Sequence, residues 1–350
     1  MMMLKDLARI SGVSQACISL VRKGRHGVSD ETRARIQQLL TDHGYSYTEY
    51  DPQTKQPVGK PAVSAPSTNT IQLLTYKRHA MLVDGNDGFV SAIIDALDLE
   101  ARQLGYQLLV SVIGPGNNES VMRAAASISS DGMLVIATEM SQYELSIFEA
   151  VPLPLVIIDS DFISSPYSCV TMNNRELAFS AVLHLHALGH RHIGYLCSSV
   201  PTGNFRSRTQ GYHEALDIIG QPYEKQWCYS LRPTLNAAYH DMLAQLREKR
   251  PLPTAFFADN DIIAIGAMKA LSEVGCKIPS DISVIGVDNI PFGSVSMPPL
   301  STMSISCHEI GSWAVRMLMQ AIANPGAPKT KIQIGASLVQ RKSTAPPADR

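Results

Sequence analysis

Beyond residue 70, short apolar runs alternate with amphipathic segments. The runs are IQLLTY (71–76), YQLLVSVI (106–113), GMLVIA (132–137), LPLVIID (153–159), HIGYLC (192–197), AFFAD (255–259) and ISVIGVD (282–288). Each is continuous and rich in branched residues, the pattern of a strand buried on both faces. After the first run comes FVSAIIDALDLEARQLG (89–105), in which Ile93, Ile94, Leu97 and Leu104 predict one apolar helical stripe. Strands alternating with helices predict an α/β fold of parallel sheets covered on both sides. Roughly 275 residues of such pattern exceed one sheet of ordinary size, so two doubly wound lobes are expected.

The first 48 residues have another rhythm. LKDLARISGVSQACISLVRKG and RHGVSDETRARIQQLLTDHGYSY predict three short helices. Ala8 is small enough for two helices to cross closely, Gly12 tolerates the positive φ of a tight turn, and Ile18 faces a small core. Ser14 is placed to cap the second helix. Ser29, followed by Asp30 and Glu31, and Gly44 at the far end bracket the third, whose Ile36, Leu39 and Leu40 complete the core. The arrangement is an all-α helix-turn-helix. Its second helix presents Ser14, Gln15, Ala16, Ser19 and Arg22 outward, where Gln suits an adenine edge, Ala a thymine methyl, and Arg a guanine or phosphate. Lys5 and Arg25 complete the candidate DNA contacts, Lys5 on phosphate.

Charge supports that assignment. Residues 1–48 carry seven Lys/Arg against four Asp/Glu, a net of +3, in a chain of 350 residues whose total is −1. From Thr48 to Thr70 prolines recur at 52, 57, 61 and 66 with no Leu, which predicts an extended, mobile tether. The chain has no run of about eighteen apolar residues, and MMMLKDLARIS lacks the core of a signal peptide, so a cytoplasmic protein is expected. Six scattered cysteines form no CxxC pair, which argues against a zinc site or disulfide framework. His184, His186, His190 and His192 allow a metal reading, but they straddle a helix end and a strand start and should diverge; a surface cluster at a helix C-terminus fits better. No catalytic, metal or cofactor motif is found, and no cofactor is expected.

The motifs KDLARISGVS, GVSDETRARI and HGY, then LGHRHIGYL, FRSRTQGYHEAL, ADNDIIAIGAMKAL, DISVIGVDN and PPLSTMSI in that order, closely resemble the lac repressor (LacI/GalR) family. The resemblance implies a lambda-repressor-like helix-turn-helix domain over 1–48, a Pro-rich linker over 49–70, and a type 1 periplasmic-binding-protein-like core over 71–343. Lobe one would comprise about 71–172 and 304–332, lobe two about 173–303 and 333–343, with a tail over 344–350. It further implies a transcriptional regulator, a repressor by preference, acting as a homodimer on double-stranded operator DNA under control of a small-molecule effector. Two departures stand out. The family's hinge helix carries a Leu-Ala pair that is missing here, and the Arg that relatives often place at the position of Leu20 is replaced by Arg22 two residues on. An unusual operator half-site is therefore expected, and the STAPPADR tail, lacking a heptad repeat, favours dimer over tetramer.

Open α/β sheets bind ligands beyond the carboxyl ends of their strands. Asp159 ends LPLVIID, Asn260 follows AFFAD, Asp288 ends ISVIGVD, and Arg208 lies in the helix after HIGYLC. By resemblance these four match effector contacts, and their chemistry suits a polyol. Phe89 and Phe205 are candidate covers for a ring face. Two carboxylates disfavour an anion, which leaves a neutral sugar or nucleoside. Plainer roles compete: Asp161 and Asp261 as helix caps, Asp259 as a brace, Arg208 as an ion-pair partner within one lobe. Two rival functions remain, a sugar- or nucleoside-processing enzyme using Asp159 and Asp288 as acid and base, and a small-molecule-binding protein without a transcriptional role.

Overall fold

The computed structural model describes residues 8, 12–22, 25, 27–42, 47, 49–51, 56–58, 68–116, 130–160, 162 and 165–348. The chain divides into two compact units, Met1–Thr68 and Asn69–Arg350.

In the first unit, α1 (Gln15–Arg22) and α2 (Asp30–Asp42) bury Ile18, Val21, Ile36 and Leu40 around Ala8. Gly12 sits at φ +67°, the left-handed turn its sequence position calls for. The Ser14 hydroxyl accepts the Cys17 amide at 3.2 Å, which caps α1. Ser29 accepts the Thr32 amide at 3.4 Å and does the same for α2. Arg33, itself buried, donates to the Arg25 carbonyl at 2.5 Å and so ties the inter-helix segment to α2. Of the first predicted helix only Ala8, which is helical, belongs to the described residues; Lys5 and Gly44 do not.

Within the segment expected to be a plain tether, β1 (Glu49–Asp51) and β2 (Gln56–Val58) form an antiparallel pair with Tyr50 opposite Pro57. Proline opposes a helix but not an extended backbone, and in a two-stranded pair its missing N–H can face outward.

The second unit holds two six-stranded sheets. The first uses β3 (Thr70–Tyr76), β4 (Gln107–Ile113), β5 (Gly132–Ile136), β6 (Leu155–Ile158), β7 (Ser168–Met172) and, far along the chain, β13 (Lys331–Ile334). Their order is β13-β7-β6-β5-β3-β4, all parallel. Helices α3 (Asp87–Gln103) and α9 (Cys307–Ala323) cover this first lobe. The second lobe interleaves α4 (Asn174–Ala187), β8 (Ile193–Ser198), α5 (Gly203–Ile218), β9 (Cys228–Leu231), α6 (Leu235–Leu246), β10 (Ala255–Ala258), α7 (Asp261–Glu273), β11 (Ser283–Val287), α8 (Pro291–Val295), β12 (Ser301–Ile305) and β14 (Ala336–Val339). Its sheet runs β14-β12-β11-β10-β8-β9, with only β14 antiparallel to its neighbour. The chain passes between the lobes after β7, after β12 and between β13 and β14. Segments distant in sequence thus build each sheet.

Two local expectations need correction, and a third is untested. Leu104 is the C-cap of α3 and 46% exposed; the buried face runs through Val90, Ile93, Leu97 and Ala101, the true 3.6-residue stripe. Asp261 does not cap α7. That role falls to Asn260, whose side chain accepts the Ile263 amide at 2.9 Å, while Asp261 in the first turn accepts from Ile290 N at 3.0 Å and Thr302 Oγ1 at 2.7 Å. Asp161, the other cap candidate, lies outside the described residues.

Candidate functional site

Every strand of a parallel sheet ends at the same edge, and the two lobes turn those edges toward each other. Asp159 leaves β6 at φ +55° and Asp288 leaves β11 at φ +109°. Asp tolerates this left-handed region better than most residues, and the turn it makes aims a short carboxylate out of the sheet. Phe89, Asp159, Phe205, Arg208, Asn260 and Asp288 all line one cleft between the lobes, joined by Asn86, Thr138 and Asn204. The six residues named from sequence are thereby brought together.

A chain of hydrogen bonds, bridged at one step by an ion pair, holds Asp159, Arg208 and Asp288. Asp159 accepts from Thr138 Oγ1 at 2.5 Å and from Asn204 Nδ2 at 3.1 Å. Asn204 Oδ1 accepts from Asn174 Nδ2 at 3.1 Å, and Asn174 Oδ1 accepts Arg208 Nε at 2.8 Å. Arg208 also donates to the Asp259 carbonyl and lies 3.7 Å from Asp288 Oδ1, so its ion pair is indeed within one lobe while its guanidinium faces the cleft. Asn86 of lobe one then donates to Asp288 Oδ2 of lobe two at 2.7 Å, a bond that closes the cleft. Asp259 is a brace, accepting Tyr195 OH at 2.5 Å and Ser198 N at 2.6 Å.

Burial dominates the electrostatics. It pushes the carboxyls of Asp159, Asp259 and Asp288 each up to about 6, with Arg208 pulling against it in all three. Two cleft acceptors take no hydrogen bond from the described residues: Asn86 Oδ1 and Asp288 Oδ1. Buried acceptors without donors are costly, and a hydroxyl donor would satisfy either one. Phe205 stacks under the Arg208 guanidinium, its ring centre 5.4 Å away, and Phe89 is 5% exposed. The closed cleft encloses about 30 Å³, room for about one water, so a sugar can enter only when the lobes part. A larger groove of about 750 Å³ is lined by residues of α4 and α5 together with Gln142, Phe162 and Gln333 of lobe one, but it contains none of the six residues and its Arg175 and Glu214 neutralise each other at 2.5 Å.

Asn86, Thr138 and Asn204 were not apparent from sequence. Thr138 does follow β5 closely, so the strand-end rule covers it, and only its uncharged side chain conceals it. Asn86 and Asn204 precede or open helices, and nothing local marks them as cleft residues.

On the head, Ser14, Gln15, Ala16, Arg22 and Arg25 are exposed and Ser19 half-exposed, whereas Ile18 and Val21 point into the core. Of the histidines, His190 is buried between Thr254 Oγ1 and the Ala345 carbonyl, both at 3.0 Å, and His192 packs on Trp227. Among the described residues no group of His, Cys, Asp and Glu is placed to hold a metal ion, and no helix is long and apolar enough to cross a membrane.

A helical reader followed by a two-lobed clamp with a polar interlobe cleft defines a ligand-responsive DNA-binding regulator. Residues 3–47 match the profile of bacterial regulatory proteins of the lacI family, and residues 182–344 match the periplasmic binding protein-like domain, together more than half of the chain. The chain is 29% identical over 347 residues to the HTH-type transcriptional repressor PurR of Mannheimia succiniciproducens, covering 97% of this chain and 98% of that protein. Among solved structures, the lac repressor dimer bound to operator and the anti-inducer ONPF superposes with a TM-score of 0.70 at 24% identity, covering 98% of this chain and 99% of that one. The transcriptional regulator CelR in complex with cellobiose gives 0.71 at 21% identity, over 98% and 100%. The chain thus joins a lacI-family helix-turn-helix domain, over residues 3–47, to a periplasmic binding protein-like domain.

Proposed function

We propose that this chain is a cytoplasmic, homodimeric transcriptional repressor that reads operator DNA with residues 1–48 and senses a neutral polyol between its lobes. Residues 49–70 link the reader to the sensor over 71–343. Gln15, Ala16 and Ser19 face base edges, with Ser14, Arg22, Arg25 and Lys5 serving the backbone or neighbouring bases. In the cleft, Asp159, Asn260 and Asp288 take ligand hydroxyls, Arg208 forks onto ring or hydroxyl oxygens, and Phe89 and Phe205 cover the apolar face. The cleft holds its parts together without a nucleophile, metal or cofactor motif, and its acids serve as acceptors in a binding site.

The observation that carries the reading is the pair of buried acceptors, Asn86 Oδ1 of lobe one and Asp288 Oδ1 of lobe two, which take no hydrogen bond from the described residues inside a cleft of two carboxylates and one guanidinium. That set favours donors without charge. The cellobiose-bound relative in fold supports a sugar. Closure around the ligand shifts one lobe against the other, which is the change a tethered pair of heads can sense. Coupling is reciprocal: whatever factor the ligand imposes on DNA affinity, DNA imposes on ligand affinity.

The test is selection of bound fragments from random DNA at physiological salt, repeated with ribose, cellobiose, other neutral sugars and nucleosides. A two-fold symmetric consensus whose affinity shifts with one compound is expected. A protein with a folded head that prefers no duplex over another refutes the proposal.

A further inference from the structure

One carboxylate outside the cleft is held in an unusual way. Glu139, 6% exposed and one residue beyond Thr138, accepts hydrogen bonds from five backbone amides of a single loop. Its Oε2 takes Arg78 N at 2.7 Å, His79 N at 2.8 Å and Ala80 N at 3.1 Å; its Oε1 takes Leu82 N at 2.8 Å and Val83 N at 3.3 Å. Ala80 adopts φ +59°, which lets successive amides converge on one anion. The Arg78 guanidinium does not claim the carboxylate; its Nη2 goes instead to Ser141 and Glu144. The amides themselves supply the compensating dipoles.

The loop so held is the one that delivers lobe one's share of the cleft. It carries Leu82 and Asn86, and its end starts α3, where the Asn86 carbonyl accepts Phe89 N at 3.1 Å and Val90 N at 3.2 Å. Asn86 makes the interlobe bond to Asp288, and Phe89 forms a wall. β5 is therefore followed closely by two adjacent residues with divided tasks: Thr138 bonds Asp159 inside the cleft, and Glu139 grips the loop from behind.

We infer that Glu139 is a positioning residue of the effector cleft: by gripping five loop amides it holds Leu82, Asn86 and Phe89 ready before any ligand arrives. The ligand then meets an ordered wall and does not bear the entropy of ordering it. The inference rests on the proposed sensing role for its consequence, but not for the loop anchoring itself.

Two variants separate charge from shape. Glu139→Gln keeps the volume, yet whichever way the amide turns, its NH2 faces two or three backbone N–H groups. Glu139→Asp keeps the anion and shortens the arm. Amide hydrogen exchange of the full-length protein, read by mass spectrometry peptide by peptide, should quicken at least tenfold over residues 78–83 in Glu139→Gln, less in Glu139→Asp, and stay at parental rates in β8, β10 and β11. Titration with the sugar and nucleoside panel should show at least a tenfold weaker association of any compound the parent binds, with Glu139→Asp retaining more of it. Unchanged exchange over 78–83 in Glu139→Gln overturns the inference, as does equal quickening throughout the second unit, or Glu139→Gln outperforming Glu139→Asp. If no panel compound binds the parent, the exchange result still decides the anchoring, and the proposed sensing role alone falls.

Discussion

Replacing Asp288 by Asn should stabilise the ligand-free protein, although Asp288 sits at the centre of the binding cleft. Its carboxyl is pushed from an ordinary 3.8 up to about 6 by burial, net of the pull from Arg208 and the hydrogen bond from Asn86. That rise is worth on the order of 3 kcal/mol against the ionised form. Between those two pH values the folded chain holds a proton that the unfolded chain releases, so stability falls as pH climbs from about 4 to about 6 and is level above. Asn never ionises and escapes the loss. It also accepts the Asn86 amide, suits φ +109° as Asp does, and leaves Arg208 bonded to Asn174 and the Asp259 carbonyl. The gain extends to neighbours, because the Asp288 charge also raises Asp159, Asp259 and Asp261. Urea unfolding of the full chain should show Asp288→Asn more stable by ~2–3 kcal/mol at pH 8, with the gap shrinking below about pH 6. A variant no more stable than the parent at pH 8, or a gap that is the same at pH 4.5, refutes the reasoning.

Three further outcomes are expected. Gln15→Ala should cost ~1–3 kcal/mol on the selected operator and nothing on random duplexes in competition binding; equal losses on both would remove Gln15 from the base-reading set. Asn86→Ala cuts the interlobe bond to Asp288, worth ~1.5–3 kcal/mol for a charged partner, and should shift the lobes apart, seen as a larger radius of gyration by small-angle scattering. Gly211→Ala should lower the unfolding midpoint steeply, since a Cβ there falls 2.0 Å from the Arg175 carbonyl oxygen and forces α4 from α5 at a cost of roughly 1–3 kcal/mol or more; wild-type stability would show that the helices have slack.

Most of the seven apolar runs were legible as strands because burial on both faces leaves an unbroken signature; β4 is the exception, an edge strand whose Leu109, Val110 and Val112 are exposed although its sequence predicts a buried one. β12 was not, since Ser301 and Thr302 are wholly buried and read as turn residues. Their hydroxyls are satisfied from afar, Ser301 by Thr344 at 2.9 Å and Thr302 by Asp261 at 2.7 Å, and partners forty residues away leave no local trace. β13 and β14 are half-exposed edge strands with diluted patterns. In the cleft, acids at strand ends announced themselves, whereas Asn86 matters only because it reaches a residue 202 positions away. Gln15 and its neighbours could be read from a single helix face, since Ile18 and Val21 fix which side is inward.

The left-handed backbone at Asp159, Asp288 and Asn289, with φ of 55°, 109° and 57°, restricts the alphabet that descendants of this protein can write at those positions. Only Gly, Asn and Asp rest there without strain. A lineage changing its metabolite cannot install a long arm or a branched side chain at either strand end. New tastes must be acquired at the neighbouring walls, Phe89, Thr138 and Phe205, while the two strand ends go on offering short carboxylates or amides.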